Sequence, residues 1–287
     1  MGEMVYLNGR LIQRKRATIS VLDYGFMYGF GLFETMRAYK GKVFRLDEHL
    51  NRLATSARVL DLNIDKIELK DAAMDVIKVN KLGDARVRIN VSSGEGSINA
   101  DTRTCRKSTV FVVAEKYIPY TEQVYRDGFR AIISSYRRNS RSLLSRLKST
   151  SYLMSVMAKQ EARMAGADEA ICLNEKGLLA EASMSNVFMV VDGVLKTPGL
   201  DSGILLGITR KVVLELASQI DIERFEGDLE PDNLYKAQEA FLTNSLLEIM
   251  PLTMVANKYI GKGRVGDITK KLAMAYKQLA SSELSIV

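Results

Sequence analysis

The chain has 287 residues, 47% of them hydrophobic and 26% charged, a balance that builds a packed protein of one or two domains and excludes a disordered one. Two cysteines and a single histidine exclude a disulfide framework, a four-cysteine zinc site and the helical H-E-x-x-H zinc motif, so acid–base chemistry falls to Lys, Glu, Asp or Tyr. The net charge of +7 suits an anionic partner without choosing between nucleic acid and small anions.

The first residues, Met1-Gly2-Glu3-Met4-Val5, carry neither the basic nor the apolar region of a signal peptide, and no run reaches the roughly eighteen apolar residues of a membrane span, so a cytoplasmic protein is expected. Residues 5–7 and 11–12 flank Asn8-Gly9, a pair that accepts the positive φ angles of a tight turn, and predict a β-hairpin. From Leu46 the period turns helical: Leu46, Leu50, Leu53, Ala57 and Leu60 share a face, with Asp47 expected to cap the first turn. Residues 86–92 and 109–115 alternate or run apolar and rich in β-branched side chains, as strands do. Tyr117-Ile118-Pro119-Tyr120-Thr121-Glu122-Gln123 breaks that pattern and marks a boundary between a small N-terminal α+β domain, 1–120, and a larger C-terminal one, 124–287. Beyond it, residues 131–136, 170–173, 187–191, 193–196, 239–243 and 254–260 read as strands. Helices are expected at 152–165, stopped by Gly166, at 209–218, briefly at 232–236, and finally along Ile268, Leu272 and Leu279. The sequence shows no internal repeat and no low-complexity tract.

Two strings are discarded on context. Gly261-Lys262-Gly263-Arg264-Val265-Gly266 fits G-x-G-x-x-G but leaves no room for a βαβ unit, and reads as a hairpin turn. Ser145-Arg146-Leu147-Lys148 fits S-x-x-K without its companion triplets. The basic stretch Arg126 to Lys148 lacks the interleaved aromatics of a nucleic-acid stacking platform. Lys148 keeps its interest. An isolated lysine is normally solvated, but this one precedes a helical pattern and is followed by Glu181, where a loop of small polar residues gives way to the strand 187–191, and by Gly207-Ile208-Thr209-Arg210, a helix start whose free N–H groups attract phosphate.

Taken together these motifs resemble the class IV, fold-type IV, pyridoxal-phosphate aminotransferases and their lyase relatives. The resemblance spans nearly the whole chain. It is carried by Asp23-Tyr24-Gly25-Phe26, Gly31-Leu32-Phe33-Glu34, Arg45-Leu46-Asp47-Glu48-His49 with Arg52, Lys148-Ser149 with Tyr152, Glu181-Ala182-Ser183 with Ser185-Asn186, and Gly207-Ile208-Thr209-Arg210. It implies a two-domain α+β fold like that of D-amino-acid aminotransferase, with pyridoxal 5'-phosphate between a small N-terminal and a larger C-terminal domain. It also implies that Lys148 forms the Schiff base and shuttles the proton, and that Glu181 faces the pyridine nitrogen. By the same resemblance Tyr152 reaches the phenolate oxygen, Leu205 packs on the ring, and Arg52, Ile208, Thr209 and Ser245 hold the phosphate. His49 is expected to be a hydrogen-bonded structural residue. Members are dimers or larger, which implies a homodimer or higher homo-oligomer with Tyr28 reaching into the neighbouring site.

Substrate-side candidates are Tyr28, Phe33, Thr35, Arg37, Arg88 and Leu246. Arg88 matches a basic position of branched-chain transaminases and of the lyases, and the T-R-G signature of D-amino-acid transaminases is missing. Thr35 stands where branched-chain enzymes carry glycine, a feature more typical of aminodeoxychorismate lyase. Leu246 and Leu247 replace two small residues and are expected to crowd the α-carboxylate pocket. The favoured reading is transfer of an amino group from a branched-chain L-amino acid to 2-oxoglutarate. The alternatives are aminodeoxychorismate lyase, releasing pyruvate to give 4-aminobenzoate, then a D-amino-acid transaminase, and, from another class, a cofactor-free anion or nucleic-acid binder. No nucleic acid, membrane or metal is expected as a partner.

Overall fold

The computed structural model describes residues 3–285, which divide into two units: one holds the chain up to Ile118, Leu147–Tyr152 and the stretch from Glu283, and the other Pro119–Arg146 and Leu153–Ser282. The first unit contains β1 (Met4–Leu7), β2 (Arg10–Gln13), the short α1 (Tyr24–Met27), β3 (Gly31–Tyr39), β4 (Lys42–Val43), α2 (Leu46–Val59), α3 (Lys66–Val79), β5 (Ala85–Ser92) and β6 (Thr109–Lys116). Its six strands pair antiparallel in the order β2-β1-β6-β5-β3-β4. The expected hairpin joins β1 to β2, with Asn8 at φ 49° and Gly9 at φ 92°.

Pairing of β3 with β5 sets Phe33 opposite Asn90, Thr35 opposite Arg88 and Arg37 opposite Arg86. Side chains alternate along a strand, so Leu32, Met36, Val87 and Ile89 turn to the face that packs with Leu50 and Leu53 of α2 and Leu69 and Val76 of α3. Phe33, Thr35, Arg37 and Arg88 turn to the other face. The helix from Leu46 is present, but Asp47 does not cap it: Arg45 precedes the first turn in a left-handed conformation without a capping side chain, and Asp47 accepts from Lys70 Nζ at 2.8 Å. Helix α3, not anticipated, is capped by Asp65, which accepts from the N–H groups of Ile67 and Glu68.

The second unit contains α4 (Glu122–Asp127), β7 (Phe129–Arg138), α5 (Leu153–Met164), β8 (Glu169–Asn174), β9 (Leu179–Ala182), β10 (Asn186–Val191), β11 (Val194–Pro198), α6 (Ile208–Gln219), β12 (Arg224–Gly227), α7 (Pro231–Lys236), β13 (Glu239–Asn244), β14 (Glu248–Val255), β15 (Lys258–Tyr259) and all of α8 (Asp267–Glu283) but its last residue. Its strands form one mixed sheet in the order β12-β11-β10-β13-β14-β7-β8-β9, with β15 beside β14. Every residue of β8, β9 and β10 is buried, as expected of strands covered on both faces. Two expectations are corrected. The strand expected at 254–260 is a hairpin, turned by Ala256 and Asn257 at φ 47° and 62°. The glycine string at 261–266 is a strand-to-helix connection rather than a hairpin turn. It delivers the chain to α8, whose first N–H groups, Ile268 and Thr269, donate to Glu239. Among the described residues no helix is long and apolar enough to cross a membrane.

Candidate active site

In the first unit, Leu147–Tyr152 runs beside the start of β3. Phe33 N–H donates to the Lys148 carbonyl at 2.9 Å, Thr150 N–H to the Gly31 carbonyl at 2.8 Å, and the Thr150 hydroxyl to the Gly29 carbonyl at 2.8 Å. Gly31 has to be bare, since a Cβ there would lie 2.6 Å from the Val91 carbonyl oxygen. This pairing sets Lys148 Nζ 4.6 Å from the centre of the Phe33 ring, which also lies 3.9 Å from the Arg88 guanidinium. The Tyr152 ring meets it edge-on at 5.2 Å. A cation over an aromatic face is attracted to its negative side. Phe33 therefore gathers an amine and a guanidinium at one place, and Arg88 Nε is further oriented by Asn90 Oδ1 at 2.8 Å.

The opposite, helix-covered face of the same sheet holds a buried charge network. Glu34 Oε1 accepts from Arg52 Nε and Oε2 from Arg52 Nη2, both at 2.7 Å, and His49 Nδ1 lies 2.7 Å from Oε2. Burial by itself raises the Glu34 carboxyl, but Arg52 and His49 outweigh it and hold it down at about 2. Burial pushes the His49 imidazole below its ordinary value, against the pull of Glu34 and with Arg52 and Lys148 adding to the depression. His49 is thus a hydrogen-bonded member of this network, and Arg52 is fastened to Glu34 by two parallel bonds.

In the second unit, Glu181 on β9 is buried and held at both oxygens. Oε1 pairs with Arg138 Nη2 at 3.0 Å, while Oε2 accepts from Leu205 N–H at 3.0 Å and from Asn186 Nδ2 at 3.1 Å. Asn186 Nδ2 also donates to the Leu205 carbonyl at 2.8 Å, so Leu205 is tied directly to Glu181. Two residues later Gly207 opens α6 with no side-chain cap, leaving the first-turn N–H groups of buried Ile208 and Thr209 to another acceptor. A Cβ on Gly207 would lie 2.2 Å from Asn186 Oδ1. Ser245 is half-buried in the turn between β13 and β14, where Asn244 Oδ1 accepts from the N–H groups of Leu246 and Leu247.

The remaining expected residues have the following surroundings. Tyr28 is exposed and donates to the Ile98 carbonyl at 2.8 Å. Arg37 is buried, its guanidinium 4.4 Å from the Tyr39 ring and 4.8 Å from the Tyr117 ring. Leu246 is half-buried, whereas Leu247 belongs to the hydrophobic core of the second unit. Thr35 stands on the Phe33 face opposite Arg88. Sequence reasoning passed over Arg138 and Asn186 as ligands of Glu181 and Glu34 as the partner of Arg52. A buried carboxylate needs a counter-charge, and that requirement alone flags the arginines at the end of the strand preceding Lys148.

Comparison with known proteins agrees with this geometry. The model of the family "Amino-transferase class IV" matches residues 31–255. A putative branched-chain-amino-acid aminotransferase of Methanocaldococcus jannaschii is 43% identical over 278 residues, 96% of each chain. An aminodeoxychorismate lyase of Bacillus subtilis is 37% identical over 279 residues, 96% of this chain and 94% of the relative. Among solved structures, the branched-chain amino acid aminotransferase of Escherichia coli superposes with a TM-score of 0.94 at 31% identity, covering 99% of this chain and 96% of that one. The branched-chain amino acid aminotransferase of Thermobaculum terrenum, in its pyridoxal-phosphate holo-form, gives 0.86 at 29%, covering 98% and 94%. The chain belongs to the class IV aminotransferases and is an enzyme that uses pyridoxal 5'-phosphate.

The residues present suit that cofactor. The uncapped start of α6 offers N–H groups to a phosphate, and the close approach of Gly207 to Asn186 leaves no room for a side chain in that cradle. The buried Thr243 hydroxyl, opposite Asn186 in the β10–β13 register, has no hydrogen-bond partner among the described residues and remains for a ligand. Glu181 presents a fixed carboxylate, and Lys148 an amine beside an aromatic ring.

Proposed function

We propose that the enzyme moves the amino group of a branched-chain L-amino acid to 2-oxoglutarate, with Lys148 as the residue that carries the cofactor covalently. The names of the relatives in both comparisons support the branched-chain reading. The observation that carries it is the Phe33 ring, which holds the Lys148 amine and the Arg88 guanidinium on one apolar surface. Such a surface suits an aliphatic side chain, and its guanidinium suits the second carboxylate of glutamate. When bound, pyridoxal 5'-phosphate supplies the electron sink for a carbanion at the substrate Cα. Lys148 Nζ takes the proton from Cα and passes it to C4′ of the cofactor, and in the second half of the reaction it moves a proton the other way, from C4′ to Cα of the new amino acid. By the family resemblance Glu181 would face the pyridine nitrogen, Tyr152 would reach the phenolate oxygen, and Leu205 would pack against the ring. By the same resemblance Arg52, Ile208, Thr209 and Ser245 would hold the phosphate. By analogy with the family the enzyme acts as a homodimer or larger.

Thr35 favours a second reading, the aminodeoxychorismate lyase, because its hydroxyl opposite Arg88 is placed on the Lys148 face of the sheet and can relay a proton. Mixing the holoenzyme in turn with L-leucine, L-glutamate, D-alanine and aminodeoxychorismate separates the possibilities. Bleaching of the visible band by leucine and glutamate is expected. Pyruvate release from aminodeoxychorismate with no response to leucine would replace this reading by the lyase. Borohydride treatment fixes the cofactor to the wild type, and Lys148→Ala is expected to abolish that fixation. Retention of the adduct in Lys148→Ala would remove Lys148 from its role.

A further inference from the structure

Arg138 ends β7 with its guanidinium buried, and among the described residues that guanidinium bonds to Glu181 and to the segments leading to Lys148 and to Leu205. Nη2 pairs with Glu181 Oε1 at 3.0 Å and donates to the Ser145 carbonyl at 3.2 Å, while Nε donates to the Gly203 carbonyl at 2.9 Å. Ser145 lies three residues before Lys148, and Gly203 two before Leu205, whose own N–H donates to the other Glu181 oxygen. The backbone is shaped for this grip. The β7–β8 register shifts between Ile133 and Arg137, and Gly203, at φ 80°, packs so close to Ser140 that a Cβ would lie 2.7 Å from its Cα.

We propose that Arg138 is a positioning residue for Glu181: one guanidinium holds the carboxylate and the two loops leading to Lys148 and to Leu205, fixing the acid that faces the cofactor ring. The inference rests on the reading of Glu181 given above. Physically, a desolvated carboxylate without a counter-charge either takes up a proton or turns away to find water. Removing Arg138 takes away the cation paired with Glu181 Oε1, while Asn186 and the Leu205 N–H on Oε2 are neutral donors. If the carboxylate stays charged, the site becomes more negative. If it takes up a proton, the ring nitrogen loses its partner and its own proton. Both changes raise the affinity of the Lys148 nitrogen for its proton, so the sign of the effect is the same either way.

The test uses the holoenzyme and follows its visible absorption as a function of pH. Arg138→Gln is expected to move the titration midpoint upward by about one pH unit, and to slow the leucine half-reaction at least about tenfold, as loss of outer partners does at other tuned sites. Arg138→Lys keeps the charge but loses the fork, and is expected to shift the midpoint less. Arg138 also lines an open groove of about 360 Å³ with Arg137, Asn139, Arg141, Glu175 and Lys176, so truncating its side chain leaves a space that adjoins this groove. Millimolar guanidinium is therefore expected to restore the rate of Arg138→Ala, whereas sodium at equal ionic strength is not. Should Arg138→Lys and Arg138→Gln lose thermal stability yet keep the wild-type midpoint and rate, Arg138 is structural only and the proposal fails. A wild-type protein that develops no visible band with pyridoxal 5'-phosphate overturns the cofactor roles themselves, an outcome distinct from an unchanged midpoint.

Discussion

At Glu34 burial opposes ionisation while Arg52 and His49 enforce it, and the balance leaves a carboxyl near 2 instead of its ordinary 4.5. A lowered folded value means that the unfolded chain takes up the proton first, so the stability from Glu34 is full above 4.5 and is lost as pH falls toward 2. His49 adds loss of the same sign that begins below its ordinary 6.5, because the unfolded imidazole is protonated before the folded one. The urea midpoint is expected to fall steadily as pH is lowered from 7 to 3. Glu34→Gln should remove most of the lower part of that slope and cost about 3–5 kcal/mol at neutral pH, since Arg52 loses its buried counter-charge. Phe33→Leu keeps an apolar side chain but removes the ring shared by Lys148 and Arg88. It is expected to raise KM for glutamate and to lower kcat, each by several-fold, on the roughly 0.5–2 kcal/mol that such a cation–ring contact carries. At this scale the sequence was readable at the uncapped start of α6, which the helix signal at Gly207-Ile208-Thr209-Arg210 announces, and residue type and motif alone single out Lys148 and Glu181. Arg138 and Glu34 were obscured because their importance lies in what they bond to, and a pairing across 43 residues such as Arg138 with Glu181 leaves no local mark.

The elements most legible in the sequence were those with strong contrast between apolar and polar positions. The β1–β2 hairpin follows from Asn8-Gly9, and α2 from its leucine stripe. Helix α3 escaped notice because two of its five buried residues, Ala72 and Ala73, are too small to stand out, although Asp65 capped it in plain view. Strand β14 was hidden by Pro251, which argues against a central strand yet pairs there with Phe241. Helix α8 depends on a residue far from it: Glu239 accepts from Ile268 N–H, Thr269 N–H and the Thr269 hydroxyl. Gly266 is pressed so tightly against this carboxylate that a Cβ would lie 1.9 Å from its carboxyl carbon. Glu239→Ala is expected to cost about 1–2 kcal/mol as a lost cap, and Gly266→Ala to lower the melting temperature by displacing the same carboxylate. Thermal unfolding followed by circular dichroism measures both, and the double variant should cost less than the sum because one contact underlies the two effects.

On the scale of the whole molecule, the α+β character and the family were legible because the motifs occur along most of the chain. The return of Leu147–Tyr152 to the first unit was not, since it rests on the bridge between Leu32 and Ser149, a pairing without periodicity or composition to announce it. A polypeptide ending at Ile118 is accordingly expected to be less stable than the same unit in the full chain, and to lose hydrogen-exchange protection at Phe33, whose N–H donates to the Lys148 carbonyl. The opposite end of the chain contributes too, since Arg45 Nη2 pairs with Glu283 at 2.6 Å. During synthesis on the ribosome the portion made first is consequently the last to be finished. Its sheet can form early, since all six strands lie within the first 116 residues, but it must wait for the amine-bearing hexapeptide and then for Glu283. Nascent chains released prematurely would emerge with this portion incomplete, however well it had begun to fold.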